Sequence, residues 1–277
     1  MQAGGRRSAR WSARRGGLAY LAMCASLAVA ACTGSLATPQ TIYITLPPSS
    51  PVATGTPGQA TPVAVTPTVS SVTLTSSAPD GRWTVNFKKP VVSGVTPAAV
   101  TAMNDSLTTK VNAYISSFNG TEPPVVASGD GPSTLTGDFT VAFASPMLLS
   151  LRFTILTYIT GAAHPVADAG SINFNVATGT VIQLPEIFSS PAVALPVLQT
   201  QAYKKLTSLL GSDLSWPASV TMSDFGQAWV FTPTGLELTW SQGVIASTAA
   251  GTPKISIPWS ALKTVIAKPG PAAGFVP

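Results

Sequence analysis

A charge-free tract rich in proline, serine and threonine divides this chain into three parts. Residues 33 to 79 contain no Asp, Glu, Lys or Arg, and 26 of these 47 positions are Pro, Ser or Thr. Such a tract cannot bury enough apolar surface to offset the entropy lost on ordering it. We therefore predict a disordered linker over 32–79, a folded body over 80–268 and a tail over 269–277. The alternating segment Val69–Leu74 also fits a first strand of the body.

The segment before the linker has the proportions of a signal peptide. Five arginines precede an apolar run from Leu18 to Ala31, and its 14 residues are too few to cross a ~30 Å hydrocarbon core as a helix. The run ends Val29-Ala-Ala-Cys32, which resembles the bacterial lipobox. We predict a lipoprotein signal peptide over 1–31, export by general secretion rather than the twin-arginine route, and acylation of Cys32 with chains such as palmitate. The alternatives are a plain secretory signal or an uncleaved anchoring segment.

The charge and cysteine content argue against nucleic-acid binding, a disulfide and a metal site. After residue 16, ten Lys and Arg stand against ten Asp and Glu, so the body lacks the excess of basic residues expected of a nucleic-acid binder. Cys24 leaves with the signal peptide and Cys32 carries the lipid, so no disulfide is expected. With one histidine and no free cysteine in the body, a metal site is not expected either, and no cofactor motif is present.

Apolar periodicity predicts an α+β body. Thr96 is a helix cap before Pro97, apolar residues then recur every three or four positions up to Gly120, and a second helix is predicted at Pro191–Leu210. A short helical turn is predicted at Pro258–Leu262. Strands are predicted at Trp83–Phe87, Leu135–Ala144, Met147–Thr160, Ser171–Val176, Val181–Leu184, Gln227–Phe231, Gly235–Trp240, Gln242–Ala246 and Lys254–Ile257. The simplest packing is two helices over one antiparallel sheet.

Several stretches of the body carry a family resemblance: Met147–Phe153, Tyr158–Pro165, Ile172–Phe188 and Gly235–Leu262, with the helix containing Asn104 upstream. In this order they resemble the extracellular domain of unknown function found in RsiV-type anti-sigma factors, some peptidoglycan deacetylases and mycobacterial secreted immunogenic proteins. The resemblance implies binding at the cell envelope, and lysozyme is the partner in one branch of the family. Many relatives have an aromatic-acidic stretch ending Ala-Pro-Tyr-Ala-Gly where this chain has Gln242–Gly251, which predicts a binding loop of different chemistry.

Several polar and aromatic residues are candidates for a catalytic or ligand-binding role. His164, with Asp168 close behind, fits a general base, but a turn histidine bonded to backbone is the favoured interpretation. Glu237 alternates with leucines and is expected to face solvent, far from a second carboxylate. The tryptophans at 216, 229, 240 and 259 fit a core better than a sugar platform. The candidate ligand-binding residues are Tyr158, His164, Asp168, Gln242 and Thr248.

These observations predict a non-enzymatic envelope module, tethered to the outer leaflet of the cell membrane through Cys32. Its expected partner is an extracellular protein such as lysozyme or another envelope protein. The alternatives are a weak esterase-like hydrolase centred on His164 and a module that binds peptidoglycan or another glycan.

Overall fold

The computed structural model describes residues 65–121, 131–225 and 227–276. The predicted signal peptide, Cys32 and most of the predicted linker lie outside the described residues. The predicted α+β class is confirmed, with a five-stranded and a three-stranded sheet and four α-helices in the described part of the chain. None of the helices in the described ranges is both long and apolar enough to span a membrane.

The first half of the body is a five-stranded sheet covered on one face by a helix. Its elements are β1 (Thr68–Ser77), β2 (Trp83–Ser93), α1 (Pro97–Gly120), β3 (Ser133–Ala144), β4 (Leu148–Tyr158) and β5 (Val166–Asn175). The strands lie in the order β1-β2-β3-β4-β5; β2 and β3 are parallel and the other pairs antiparallel. Because α1 connects β2 to β3, the chain returns to the same end of the sheet before β3 begins. The segment Val69–Leu74 lies within β1, so the sheet begins before residue 80.

Helix α1 forms as its sequence predicts. The Thr96 side chain accepts a hydrogen bond from the Ala99 amide at 3.4 Å, and Pro97 occupies the first turn, where its missing amide hydrogen costs nothing. The buried side chains of the helix recur mostly four positions apart and form one stripe: Ala99, Met103, Leu107, Val111 and Phe118. This stripe packs on Phe87, Phe153 and Phe174 of the sheet, which makes the first hydrophobic core.

The second half is smaller and has its own core. Its elements are α2 (Pro191–Leu210), α3 (Met222–Phe225), β6 (Trp229–Phe231), β7 (Gly235–Thr239), β8 (Lys254–Pro258) and α4 (Trp259–Leu262). The three strands form an antiparallel sheet in the order β6-β7-β8. Helix α2 buries residues spaced four apart against it, and an aromatic group of Trp229, Phe231, Trp259 and Phe275 fills the space beneath.

Three details of the sequence-based fold are wrong. The strands form two sheets rather than one. Val181–Leu184 contributes only a bridge between Val181 and Phe174 before a short 3₁₀ turn at Leu184–Ile187. Gln242–Ala246 is a series of turns rather than a strand, because the one backbone hydrogen bond from the Gln242 amide to Ala167 of β5 does not continue into a ladder and the Gln242 side chain organises this segment.

The two sheets meet along a buried polar seam formed by Ser150, Ser171 and Asn173, each no more than 8% exposed. The Ser150 hydroxyl donates to Asn173 Oδ1 at 2.6 Å and accepts from the Phe231 amide at 3.2 Å. Asn173 Nδ2 donates to the Trp229 carbonyl at 2.9 Å, and the Trp229 amide donates to Ser171 Oγ at 2.8 Å. Side chains of β4 and β5 thus satisfy the backbone of β6 and fix the position of the second sheet on the first.

Candidate ligand-binding site

The three-stranded sheet covers only part of the outer face of the large sheet, the face opposite α1. The uncovered part holds a groove of about 300 Å³, which we call the sheet groove. It is lined by alternate residues of β2, β3 and β4: Asn86, Lys88, Thr136, Asp138, Thr154 and Leu156. Strand side chains alternate between faces, so the same strands that send phenylalanines to α1 send hydroxyl, amide and charged groups here.

A second depression begins where the sheet groove ends. We call it the Arg152 cleft; it has a volume of about 200 Å³ and lies between the large sheet and the end of the small one. Thr154 lines both depressions, so they form one continuous surface. The side chains around the cleft are Thr140, Arg152, Thr154, Thr239, Thr252 and Lys254. None of the four threonine hydroxyls has a hydrogen-bond partner within the described ranges.

Charged pairs mark both parts of this surface. In the sheet groove, Lys88 Nζ lies 2.7 Å from Asp138 Oδ2, and this hydrogen bond lowers the pKa of Asp138. In the Arg152 cleft, Arg152 Nη2 pairs with Glu237 Oε1, and Lys254 Nζ lies 3.9 Å from Glu237 Oε2. The Glu237 side chain is only 14% exposed, so the expectation that it faces solvent is wrong: it lies between two cations at the junction of the sheets.

Gln242 and Thr248 come together, but Gln242 is fully used inside the protein. Gln242 Oε1 accepts from the Ala167 amide at 2.8 Å, and its own amide donates to the Ala167 carbonyl at 2.9 Å. Its side-chain Nε2 donates to the Thr248 carbonyl at 2.7 Å. Gln242 therefore connects the start of β5 to the loop that contains Thr248. Thr248 is exposed at the start of a short 3₁₀ turn.

The remaining predicted residues are distributed over different surfaces. Tyr158 ends β4, paired with Thr134, and by strand alternation faces the outer side. Asp168 pairs with the buried Ile155 and therefore faces the α1 side, so only its main chain reaches the Arg152 cleft. His164 is exposed in the turn between β4 and β5, with Nδ1 3.0 Å from the Pro165 oxygen. The five predicted residues do not form one site.

Asp168 lies instead beside Tyr114 of α1. Both line a depression of about 260 Å³ at the C-terminal end of that helix. Burial, and the nearby Asp168 carboxylate, raise the pKa of Tyr114 well above its usual range. The Tyr114 ring also stacks on Phe87 and lies under Lys110 Nζ, 5.7 Å from the ring centre, so it belongs to the first core more than to a site.

Three of the four tryptophans expected in a core are buried, and Trp216 is only half-buried. Trp229, Trp240 and Trp259 are buried, between 4% and 6% exposed. Trp216 is half-buried and packs edge-on against Tyr203, which is 51% exposed. Together with Phe225, Trp240 and Asp224, Trp216 lines a small pocket of about 60 Å³ on the second half. Among the described residues no group of three or more His, Cys, Asp or Glu side chains is placed to hold a metal ion.

Comparison with known proteins identifies part of the second half. The family described as Protein of unknown function (DUF3298) matches from α2 to α4. Residues 186–260 match that family. The match includes Glu237, Lys254 and the Gln242 loop, but not the strands of the large sheet. No curated protein matches the chain.

Two solved structures resemble the fold over most of the chain. A DUF3298 family protein from Pseudomonas aeruginosa PAO1 aligns with a TM-score of 0.51 at 14% identity, covering 76% of this chain and 96% of that one. A DUF3298 family member from Bacteroides fragilis NCTC 9343 aligns with a TM-score of 0.45 at 16% identity, covering 74% of this chain and 94% of that one. At such identity, the first of these shows a shared fold alone.

Sequence reasoning missed the residues of the Arg152 cleft. The signal was available in Arg152, a cation in the apolar strand Leu148–Tyr158, and in Glu237, an acid between two leucines. A charge in such a strand needs a partner, since an unpaired one is costly to bury. What the sequence did not show is that the two strands belong to different sheets and meet.

Proposed function

We propose that this chain is a cell-envelope binding module, tethered to the outer leaflet of the cell membrane by a lipid on Cys32, that captures an extracellular protein without catalysis. Lysozyme or another envelope protein is the expected partner. The lipobox-like Val29–Cys32 and the charge-free linker support the tether. The resemblance to RsiV-type extracellular domains supports the partner class.

The observation that carries the binding role is the continuous polar surface made by the sheet groove and the Arg152 cleft. The small sheet covers one end of the outer face of the large sheet. The part that stays uncovered is concave and rich in threonine hydroxyls. Its threonine hydroxyls find no partner in the described residues, so they are available to a ligand. A rigid sheet holds them in place, which lowers the entropy lost on binding.

The tether supplies reach and local concentration. If the 35 residues from 33 to 67, between Cys32 and β1, form the predicted disordered linker, they span about 30–35 Å root-mean-square at 5–6 Å per square root of residue number. A ligand that meets several tethered copies, or that is itself held at the envelope, is then bound at an effective concentration set by this length. Capture therefore does not require high intrinsic affinity.

The experiment is a binding titration of lysozyme, and of solubilised envelope proteins identified after capture, against the full chain in detergent. Thr154→Arg places a long cation in the exposed junction of groove and cleft, and should weaken capture at least tenfold. Thr207→Arg, the same change on the exposed face of α2, is the matched control and should bind as the wild type does. If Thr154→Arg binds the partner as tightly as the wild type, the binding surface lies elsewhere. If the chain captures no partner at all, the proposal is refuted.

The tether has its own test. Mass spectrometry of the native protein should show an N-terminal Cys32 carrying acyl chains. Cys32→Ser should release the protein from the membrane fraction. An intact N-terminus, or a lipid-free thiol in the native protein, would contradict the anchor and leave capture by the folded body to be judged by the titration.

A glycan-binding role is the second candidate, favoured by the half-buried Trp216 beside the exposed Tyr203 and the carboxylate of Asp224. A half-buried indole edged by a carboxylate suits a sugar ring, which offers an apolar face and hydroxyl groups. Pull-down on purified peptidoglycan with Trp216→Ala, and with Leu209→Ala as a control for an exposed apolar residue of α2, separates this role from protein capture. Retention lost only in Trp216→Ala would favour the glycan.

The hydrolase alternative stays a prediction with one direct test. If His164 were a general base, His164→Ala would abolish ester turnover while the fold persisted. Under our proposal the wild type and this variant show the same background rate. The Pro165 oxygen, 3.0 Å from Nδ1, is the contact that the structure gives the ring of His164, and it suits an ordered turn.

A further inference from the structure

We infer that the Arg152 cleft receives a carboxylate group of the captured protein, the side chain of a Glu or Asp. The inference rests on the proposed function and adds to it the chemistry that the binding surface recognises. Three observations support it: the charge balance of the cleft, its unused hydrogen-bond donors and its size.

The cleft has one more cation than anion. Arg152 and Lys254 both approach Glu237, so two positive groups share one carboxylate. Asp168 does not restore the balance, because its side chain lies on the opposite face of the sheet beside Tyr114. The Arg152 and Glu237 side chains are 21% and 14% exposed, so solvent ions screen this excess less than they would screen a surface pair. The remaining positive charge favours an anionic group.

The hydrogen-bond donors of the cleft are also incompletely used. Glu237 occupies Nη2 of Arg152; the Nε of Arg152 has no partner but is itself out of a ligand's reach, so a ligand would meet the remaining Nη1 end of the guanidinium. A guanidinium presents its donors in a plane that matches a carboxylate, and charge-assisted hydrogen bonds of this kind are about twice as strong as neutral ones. Lys254, half exposed at the rim, and the hydroxyls of Thr239 and Thr252 add donors around the same space.

The size of the cleft limits what enters it. About 200 Å³ lies below the ~300–1,000 Å³ of pockets that enclose whole small-molecule ligands. It suits one side chain from a partner whose backbone runs along the adjoining sheet groove. In this arrangement the groove, whose one ion pair is balanced, provides polar contacts without net charge, and the cleft provides the contact with an excess cation, which sets the register of the partner on the surface.

The test begins with acetate as the probe and acetamide as its neutral counterpart, titrated into the full chain in detergent and followed by backbone amide NMR. We expect saturable shifts with acetate at Thr154, Thr239, Thr252 and Lys254, and at least fivefold weaker effects with acetamide. Lys254→Gln removes one cation at an exposed position and should weaken acetate binding at least fivefold. Lys204→Gln, an exposed cation of α2, should leave it unchanged. Equal shifts with acetate and acetamide, or no loss in Lys254→Gln, would overturn the inference.

Competition separates this inference from the proposed function. A capped Gly-Glu-Gly peptide should displace the captured protein and the Gly-Gln-Gly peptide should not, and Lys254→Gln should weaken capture by the same factor as it weakens acetate binding. Capture that is insensitive to the acidic peptide and to Lys254→Gln would overturn the carboxylate inference while leaving protein capture intact. Acetate binding at the cleft in a chain that captures no protein would instead refute the proposed function, and with it the assignment of the carboxylate to a protein partner.

Discussion

The two halves of the body use the same packing with different results. In each, one helix buries residues spaced four apart against a sheet, but the first core is built on phenylalanines from long strands and the second on an aromatic group under three short strands. Helix α1 covers the inner face of the large sheet, but the small sheet is not large enough to cover all of its outer face. The sheet groove and the Arg152 cleft exist because of this mismatch in size.

The junction between the halves adds polar contacts that neither core has. Besides apolar contacts such as that between the Phe143 and Phe275 rings, it is held by buried hydrogen bonds of Ser150, Ser171 and Asn173 and by the Arg152–Glu237 pair. Hydrogen bonds have directional requirements that hydrophobic contacts lack, so this seam fixes the orientation of the small sheet on the large one. The geometry of the cleft depends on that orientation.

The strongest test of the comparison removes one aromatic ring from each core. Phe153→Ala and Phe231→Ala should each cost about 3–5 kcal/mol in the free energy of unfolding, since both side chains are fully buried. If the seam couples the halves, both variants shift one common transition in urea, followed by circular dichroism and by fluorescence dominated by the second-half tryptophans. A Phe153→Ala protein whose fluorescence transition stays at the wild-type midpoint would show that the halves unfold independently.

The seam itself is tested by Asn173→Ala. This change leaves the Trp229 carbonyl and the Ser150 hydroxyl without their partner in a buried position, and should cost about 2–3 kcal/mol. The urea midpoint measures the loss. Asn112→Ala, which removes an exposed amide of α1, is the control and should change the midpoint little. A cost for Asn173→Ala within error of the control would mean that the seam contributes little to holding the halves together.

Close-packed glycines distinguish the halves by what they contact. A Cβ at Gly170 would overlap the Tyr114 hydroxyl, whereas one at Gly235 would overlap the Ile257 carbonyl. Gly170→Ala should therefore cost about 1–3 kcal/mol and be partly rescued by Tyr114→Phe. Gly235→Ala should cost at least as much, with no rescue by Tyr114→Phe. Additive effects of Gly170→Ala and Tyr114→Phe would contradict the contact.

The smallest effect concerns the ion pair in the sheet groove. Because the Lys88 contact lowers the pKa of Asp138 in the folded protein, the pair stabilises the fold above the ordinary Asp pKa, and this contribution is lost as the pH falls through the lowered value. Both side chains are about half exposed, so the effect should be below about 1 kcal/mol. Asp138→Asn should lose less stability than the wild type between pH 6 and pH 3. An identical pH dependence in the two proteins would exclude a contribution from this pair.

The two long helices, α1 and α2, were predictable to the residue because their signals are local. Thr96 with Pro97, the four-residue spacing and the glycines at 120 and 211 all act within a few residues of the helix they bound. Strand positions were also predictable from alternation, but their partners were not. The same alternating pattern fits any sheet with one buried face, so it could not show that the strands form two sheets rather than the one predicted.

The candidate site was likewise predictable only where the signal is local. Gln242 was predicted as a ligand-binding residue, and its side-chain amide instead forms hydrogen bonds with Ala167 and Thr248 within the protein. Arg152 was not singled out and Glu237 was expected to face solvent, because 85 residues separate the two and their pairing depends on how β4 and β7 approach each other. Pairing across that distance is decided by packing, not by spacing.

The sequence by itself established the order of the parts: a charge-free tract before a balanced α+β body, with helices at Pro97–Gly120 and Pro191–Leu210. These follow from composition and local periodicity, which act along the chain. The tertiary structure alone decided that the strands split into a large and a small sheet, and that Arg152, Glu237 and Lys254 meet where the small sheet ends. The reason is physical: burial and hydrogen bonding select strand partners by how whole faces fit, and that fit belongs to no single segment.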